Sequence, residues 1–230
     1  MKTNRIQTPI PQNPSPRPSL RFSPTAWAKL LYFRDQGNHE IAGFGVTLAR
    51  DLLYVQDFIT VKQHVTCVSV QMEDQAVADF FEDQVVLGRK PEQFARVWCH
   101  THPSGIAGPS NTDEETFFRV FGSCQWAVMF ILCQDNQVYA RLSINVGPGA
   151  QIQLPVQVDY RYPFGSSDPA AWQEEFKRNI HPVHLVKEPS KPRDNPALQE
   201  KQSSESFGAN VDEVGIFSDF WEDEQEGLFL

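Results

Sequence analysis

The 230-residue chain contains no apolar run approaching roughly 18 residues, so no stretch of it reads as a transmembrane helix. Its opening, MKTNRIQTPIPQNPSPRPSL, has Lys2 and Arg5 but no apolar stretch behind them, so it does not read as a secretory signal. Cysteine is scarce: Cys67, Cys99, Cys124 and Cys133 are scattered, with no Cys-x-x-Cys pair. This spacing speaks against a disulfide framework or a four-cysteine zinc site, and a reducing cytoplasm is the expected compartment. Cations are in deficit, 20 Lys+Arg against 29 Asp+Glu for a net charge of −9, which argues against a nucleic-acid partner bound by phosphate neutralisation. No internal repeat is visible. What is present suffices for a packed core: 40% of residues are hydrophobic and 12% aromatic, over a length that suits one domain with appendages.

Charge and proline divide the chain into three. Residues 1–19 hold five of the 17 prolines and three cations, and read as a disordered or polyproline-like arm. Residues 20–180 carry a modest −5 and read as the folded domain. Residues 181–230 have 4 cations and 11 anions, and the stretch from Lys187 to Ala209 has the composition of a disordered segment.

Within the middle region the apolar spacing changes period. Ser23-Pro24 reads as an N-cap followed by proline at the first helical position, opening a helix to about Arg34. Glu40–Leu48 reads as a strand whose Gly43 and Gly45 imply close backbone packing. Leu53–Val65 and Thr66–Met72 read as further strands. Glu73–Leu87 has helical spacing at Val77, Phe80, Phe81 and Val85. Phe94–His100 reads as a buried strand, Gly105–Asn111 as a loop, and Asp113–Phe121 as a short helix that Thr112 is placed to cap. Trp126–Cys133 and Val138–Val146 flank a hairpin signal at Asp135-Asn136. Gln151–Tyr160 and Pro169–Arg178 read as a last strand and a last helix. Helices interrupting a largely antiparallel sheet define an α+β class with α-β-α layering.

The chemistry concentrates in Trp98-Cys-His-Thr-His-Pro-Ser-Gly-Ile-Ala-Gly-Pro-Ser-Asn-Thr-Asp113. His100 and His102 stand two apart at a strand end, so both imidazoles project from one face. The loop that follows can fold Asp113 back toward them. Two imidazoles and a carboxylate suit zinc and leave a fourth position open, the form of a catalytic rather than a structural site. Cys99, between them, points to the opposite face and reads as core. His39 is adjacent to Glu40 and faces the other way, and His64, His181 and His184 lack partners at ligand spacing. Glu114 and Glu115 suit the positive end of a helix dipole and need no chemical role. Taken alone, Glu40 could be an exposed strand-edge carboxylate and Ser110 a turn residue.

The spacing His100-Thr-His102, seven residues, Ser110, two residues, Asp113 resembles the JAMM motif of MPN+/JAB-domain zinc metallopeptidases. Glu40 matches the upstream glutamate of that family. The resemblance covers about 125 residues and implies an MPN/JAB-type, cytidine-deaminase-like fold with one Zn²⁺ per chain. It implies that His100, His102 and Asp113 are the metal ligands. It also implies that Glu40 is the general acid/base, moving a proton from the attacking water to the leaving amine, and that Ser110 donates to the tetrahedral oxyanion.

The same resemblance implies a substrate: a ubiquitin-like protein or its conjugates, hydrolysed after an extended C-terminal tail in deconjugation or precursor maturation. Such a tail binds by strand addition in a narrow groove, and Thr60–Met72 lies where the family often builds one. The compact core is most similar to prokaryotic members, some of which are linked with E1- and E2-like proteins. Two alternatives remain within the same likeness. One is a RadC-like protein tied to DNA metabolism, suggested by His-Pro-Ser-Gly but opposed by the acidity. The other is a non-catalytic MPN scaffold, opposed by the retention of all five positions. Separately, residues 211–230 mix carboxylates with Ile216, Phe217, Phe220 and Trp221. They read equally as a docking segment for a basic partner such as an E1- or E2-like protein, or as a segment packed on its own domain.

Overall fold

The computed structural model describes residues 17–183; the proline-rich arm up to residue 16 and everything from residue 184 on, including 211–230 and His184, lie outside the described residues. The elements are β1 (Leu20–Phe22), α1 (Pro24–Arg34), β2 (Ala42–Leu48), β3 (Asp51–Ile59), β4 (Gln63–Val65), β5 (Val70–Met72), α2 (Asp74–Val86), α3 (Pro91–Phe94), β6 (Val97–His102), α4 (Asn111–Phe121), β7 (Trp126–Cys133), β8 (Val138–Ile144), β9 (Ala150–Gln153), β10 (Val156–Val158), α5 (Pro169–Asn179) and β11 (Ile180–Pro182). No helix among the described residues is long and apolar enough to cross a membrane.

Eight strands form one sheet in the order β10-β1-β3-β2-β6-β7-β8-β9. Four of its seven pairings are antiparallel; β10 with β1, β1 with β3, and β6 with β7 are parallel. The Leu154 N–H donates to Ala140 O at 2.9 Å, drawing the chain between β9 and β10 onto β8 and curling the sheet. The class is mixed α+β, as expected from the sequence. One face packs Ala26, Leu30 and Phe33 of α1 and Trp172 of α5. The other packs Phe80 and Phe81 of α2, Phe94 of α3, and Phe117 and Phe121 of α4. Burying each such ring contributes about 1.5–3 kcal/mol, so these aromatic contacts dominate the docking of both helical layers.

Several local expectations hold for identifiable reasons. Ser23 Oγ accepts the Ala26 N–H at 3.0 Å with Pro24 at the first helical position, so α1 starts where its cap says. A Cβ on Gly43 would strike the Ile59 carbonyl and come within 2.6 Å of the Phe58 ring, so only glycine lets β2 approach β3 there. Asn136 takes φ 68° in the β7–β8 turn, and its Oδ1 accepts from Arg34 Nη1 at 2.7 Å.

Other expectations are corrected. The single strand expected over Leu53–Val65 breaks after Ile59, because α5 captures Thr60: its N–H and hydroxyl both donate to Glu175 Oε1 at 2.9 Å, and its carbonyl accepts from Asn179 Nδ2 at 2.7 Å. The freed chain forms β4, and β5 keeps only Val70–Met72 of the expected Thr66–Met72. Together with β11 they make a second sheet in the order β11-β4-β5. The last expected strand is split into β9 and β10 at Leu154-Pro155, and β6 extends to His102 rather than stopping at His100. The first three residues of the expected Phe94–His100 strand lie outside β6, since Pro91 opens the short helix α3 through Phe94. Helix α4 begins at Asn111 with Ser110, not Thr112, as its N-cap.

Candidate metal centre

Strand β6 is buried along its whole length and alternates strictly between the two cores. Val97 and Cys99 join the α1/α5 side and Trp98 the α2/α4 side, so His100 and His102 emerge beside α4. Cys99 is fully buried, and desolvation pushes its thiol well above the usual range. Trp98 stacks on the His100 ring, with centroids 4.3 Å apart and an interplanar angle of 28°. The two Nε2 atoms lie 3.1 Å apart.

Helix α4 delivers the carboxylate. Asp113 Oδ1 is 3.3 Å from His100 Nε2 and Oδ2 is 3.4 Å from His102 Nε2. One ligand atom from each of His100, His102 and Asp113 lies within 4.8 Å of the others, and all three residues are buried. This is the only such group of metal-ligating side chains among the described residues. The ring orientations are set from outside the cluster: His102 Nδ1 is 2.9 Å from Ile106 O, which fixes Nδ1–H and turns Nε2 inward. His100 Nδ1 is buried without a hydrogen-bond partner, so the polar commitment of that ring is made through Nε2.

Electrostatically the three side chains favour positive charge at the point between them. Burial raises the Asp113 carboxyl, but hydrogen bonds from His100 and His102 and from the Ser110 N–H outweigh it, and the net pKa lies far below the usual carboxylate range. Burial lowers both imidazoles, and for His100 it prevails. For His102 the bonds to Asp113 and Ile106 and the Glu40 charge win, so its pKa is raised. Two imidazoles and one carboxylate around one point fit zinc, the expected cation, by donor type and number.

Glu40 stands just before β2, the strand that neighbours β6. Desolvation pushes its carboxyl up to about 7, with His102 lowering it and Asp113 raising it, so it shares the field of the cluster. Three consecutive backbone donors are pinned here: Glu40 N–H to Thr66 O at 2.8 Å, Ile41 N–H to Thr101 Oγ1 at 3.0 Å, and Ala42 N–H to Gln63 Oε1 at 2.9 Å. The middle residue of the His-Thr-His run thus holds the chain segment that carries Glu40.

Ser110 is exposed at the head of α4, and its hydroxyl is engaged with Asp113. The hydroxyl and the backbone N–H donate to Asp113 Oδ2 at 2.8 and 2.7 Å, and Oγ accepts the Asp113 N–H at 3.2 Å. This is a reciprocal capping box, which Ser-x-x-Asp signals and which the assignment of the cap to Thr112 overlooked. Sequence reasoning also missed the partner of Glu114, which forms a two-pronged ion pair with the buried Arg141 at 2.6 Å on both arms. The Arg141 guanidinium lies 5.5 Å over the Phe117 ring.

The other described histidines stay outside the cluster. The His39 imidazole lies against Gly37. His64 faces His181 across β4 and β11, with ring centroids 5.9 Å apart. Cys67, Cys99 and Cys133 are free thiols, and Cys124 Sγ accepts from Arg96 Nη1 at 3.4 Å. In comparisons with known proteins, no family model and no curated protein matches the chain.

Proposed function

We propose that this chain is a zinc-dependent isopeptidase or peptidase of the JAMM type, acting on the bond that follows the extended C-terminal tail of a ubiquitin-like modifier. The observation that carries the reading is the convergence of His100, His102 and Asp113 beside a glutamate whose carboxyl is held near 7. Bound zinc supplies Lewis-acid polarisation of a carbonyl and lowers the pKa of a water toward about 7. His100 and His102 hold it through Nε2, and Asp113 through its carboxylate. Glu40 takes the proton of the attacking water onto its carboxylate and passes it to the leaving nitrogen; a pKa near the operating pH suits both halves of that transfer.

Ser110 has two tasks in this reading. Its hydroxyl holds Asp113 in place, and it reaches a developing oxyanion by turning away. The backbone N–H of Ser110, 2.7 Å from Asp113 Oδ2, keeps the carboxylate hydrogen-bonded while that happens.

The tail-binding part rests on the second sheet. Strand β5 is an end strand of β11-β4-β5, so an extended peptide can add beside it. The turn next to β5 carries Val68, and the loop that holds His102 carries Ile106, 70% and 71% exposed; both side chains adjoin backbone that contacts the site residues. The compartment in this reading is a reducing cytoplasm, in which Cys67, Cys99 and Cys133 stay thiols. E1- or E2-like partners, recruited through 211–230, complete a prokaryotic conjugation system in this reading. The test is incubation with fusions of candidate ubiquitin-like proteins ending in Gly-Gly, with and without a chelator. Chelator-sensitive cleavage after the tail supports the proposal; absence of cleavage across fusions with zinc replete rejects it.

A further inference from the structure

The three-stranded sheet touches the main sheet at a point that decides where Glu40 stands. Strands β2 and β3 pair as far as Phe44 opposite Ile59. An unbroken ladder would next set Ala42 opposite Val61, but α5 has drawn Thr60 away, and the chain leaves to form β4. Ala42 would lose both of its partners on that side. The side chain of Gln63 takes their place: Oε1 accepts the Ala42 N–H at 2.9 Å, and Nε2 donates to Ala42 O at 2.8 Å. The second Nε2 proton goes to Val61 O at 2.9 Å. The amide is fully buried, with Gln63 at 0% exposure, and it reproduces the two hydrogen bonds of a neighbouring strand.

We propose that Gln63 is a positioning residue for Glu40. It closes the ladder two residues beyond the glutamate, while Thr66, three residues further on, accepts the N–H of Glu40 itself. Glu40 and Ala42 are therefore both held by one stretch, Gln63 to Thr66, which spans β4 and the start of the β4–β5 turn. The carboxylate is set by the hairpin beside which the substrate tail is placed, and not only by β6. The metal ligands take no hydrogen bond from Gln63, so its effect falls on proton transfer and leaves metal binding alone. This inference rests on the role proposed for Glu40; its structural half does not.

The first measurement needs no variant. In amide hydrogen exchange of the full chain, the Ala42 amide is as protected as those of Phe44 and Val46 in the same strand; free exchange at Ala42 overturns the inference. Gln63→Met then keeps the side-chain volume and removes the bonds. Its expected signature is faster exchange at Glu40 and Ala42, one zinc bound as in wild type, and kcat reduced at least tenfold with KM within about twofold. Equal exchange at Ala42 in variant and wild type, or an unchanged kcat, contradicts the role. A wild type that hydrolyses nothing sinks the proposed function instead, and the exchange measurements still decide whether Gln63 fixes this segment. If Gln63→Met does not fold, Gln63→Asn takes its place: its amide ends one methylene short of Ala42, so the acceptor of the Ala42 N–H is withdrawn and exchange at Ala42 rises, and an unchanged rate contradicts the inference.

Discussion

Ser110 and Asp113 cap each other: the serine hydroxyl donates to the carboxylate whose own backbone N–H it accepts. The pair starts α4 and aims a ligand with the same hydrogen bonds. Ser110→Ala is therefore expected to cost about 1 kcal/mol of stability through the lost cap. It should also weaken zinc binding by roughly tenfold through the freed carboxylate. Thermal unfolding and a zinc competition titration read the two effects separately; a stability loss with unaltered zinc affinity leaves Ser110 as a cap alone.

Ligand and base variants should separate cleanly. His100→Ala and Asp113→Ala lose both zinc and turnover. Glu40→Gln keeps zinc and loses about 10²- to 10⁴-fold in rate, the range for removal of a general acid/base. Metal analysis beside a cleavage assay checks this, and full hydrolysis by Glu40→Gln removes the role assigned to Glu40.

The metal-free protein should carry a pH signature of Glu40. Its carboxyl is raised in the fold from the ordinary 4.5 to about 7, so the folded state favours the neutral form. The stability this contributes is complete below about pH 4.5 and is lost as pH climbs through 7. His102, raised from 6.5, acts in the same direction. Asp113, strongly depressed, acts oppositely and only in acid, its contribution disappearing as pH falls below about 4. Urea midpoints of chelated protein between pH 5 and 8 should fall more steeply for wild type than for Glu40→Gln; parallel curves contradict the placement of Glu40 in this cluster.

Gly43→Ala puts a methyl group against the Ile59 carbonyl and the Phe58 ring. Denaturant unfolding is expected to show a loss of about 1–3 kcal/mol or more, the usual cost of forcing volume into a packed site. A loss under about 0.5 kcal/mol shows that the strand gives way without consequence.

What could be read in advance followed from short-range pattern. The His-x-His pair, Ser23-Pro24, Gly43 and Asp135-Asn136 each state a local geometry, and each appears where the chain implies it. What could not be read is set by partners far along the chain. Strand β1 is three residues long and is held between β3 and β10, the latter more than 130 residues later. Strand β4 exists because Glu175 and Asn179 of α5 take the hydrogen bonds of Thr60 and because β11 closes on it. Gln63 shows no sign in the sequence of being buried, since its partners are backbone atoms of Ala42 and Val61. The capping box at Ser110 is legible, because Ser-x-x-Asp announces it, whereas Thr112, a good cap by residue type, lies inside the first turn of α4.

The central claim is that His100, His102 and Asp113 hold one catalytic zinc. X-ray absorption at the zinc edge, on protein with its metal content measured, tests it most directly. The expected result is one zinc per chain, with only nitrogen and oxygen neighbours at about 2.0–2.2 Å, two of them imidazoles. That signal should disappear in Asp113→Ala. Substoichiometric zinc, or a cysteine sulfur neighbour at about 2.3 Å, contradicts the account.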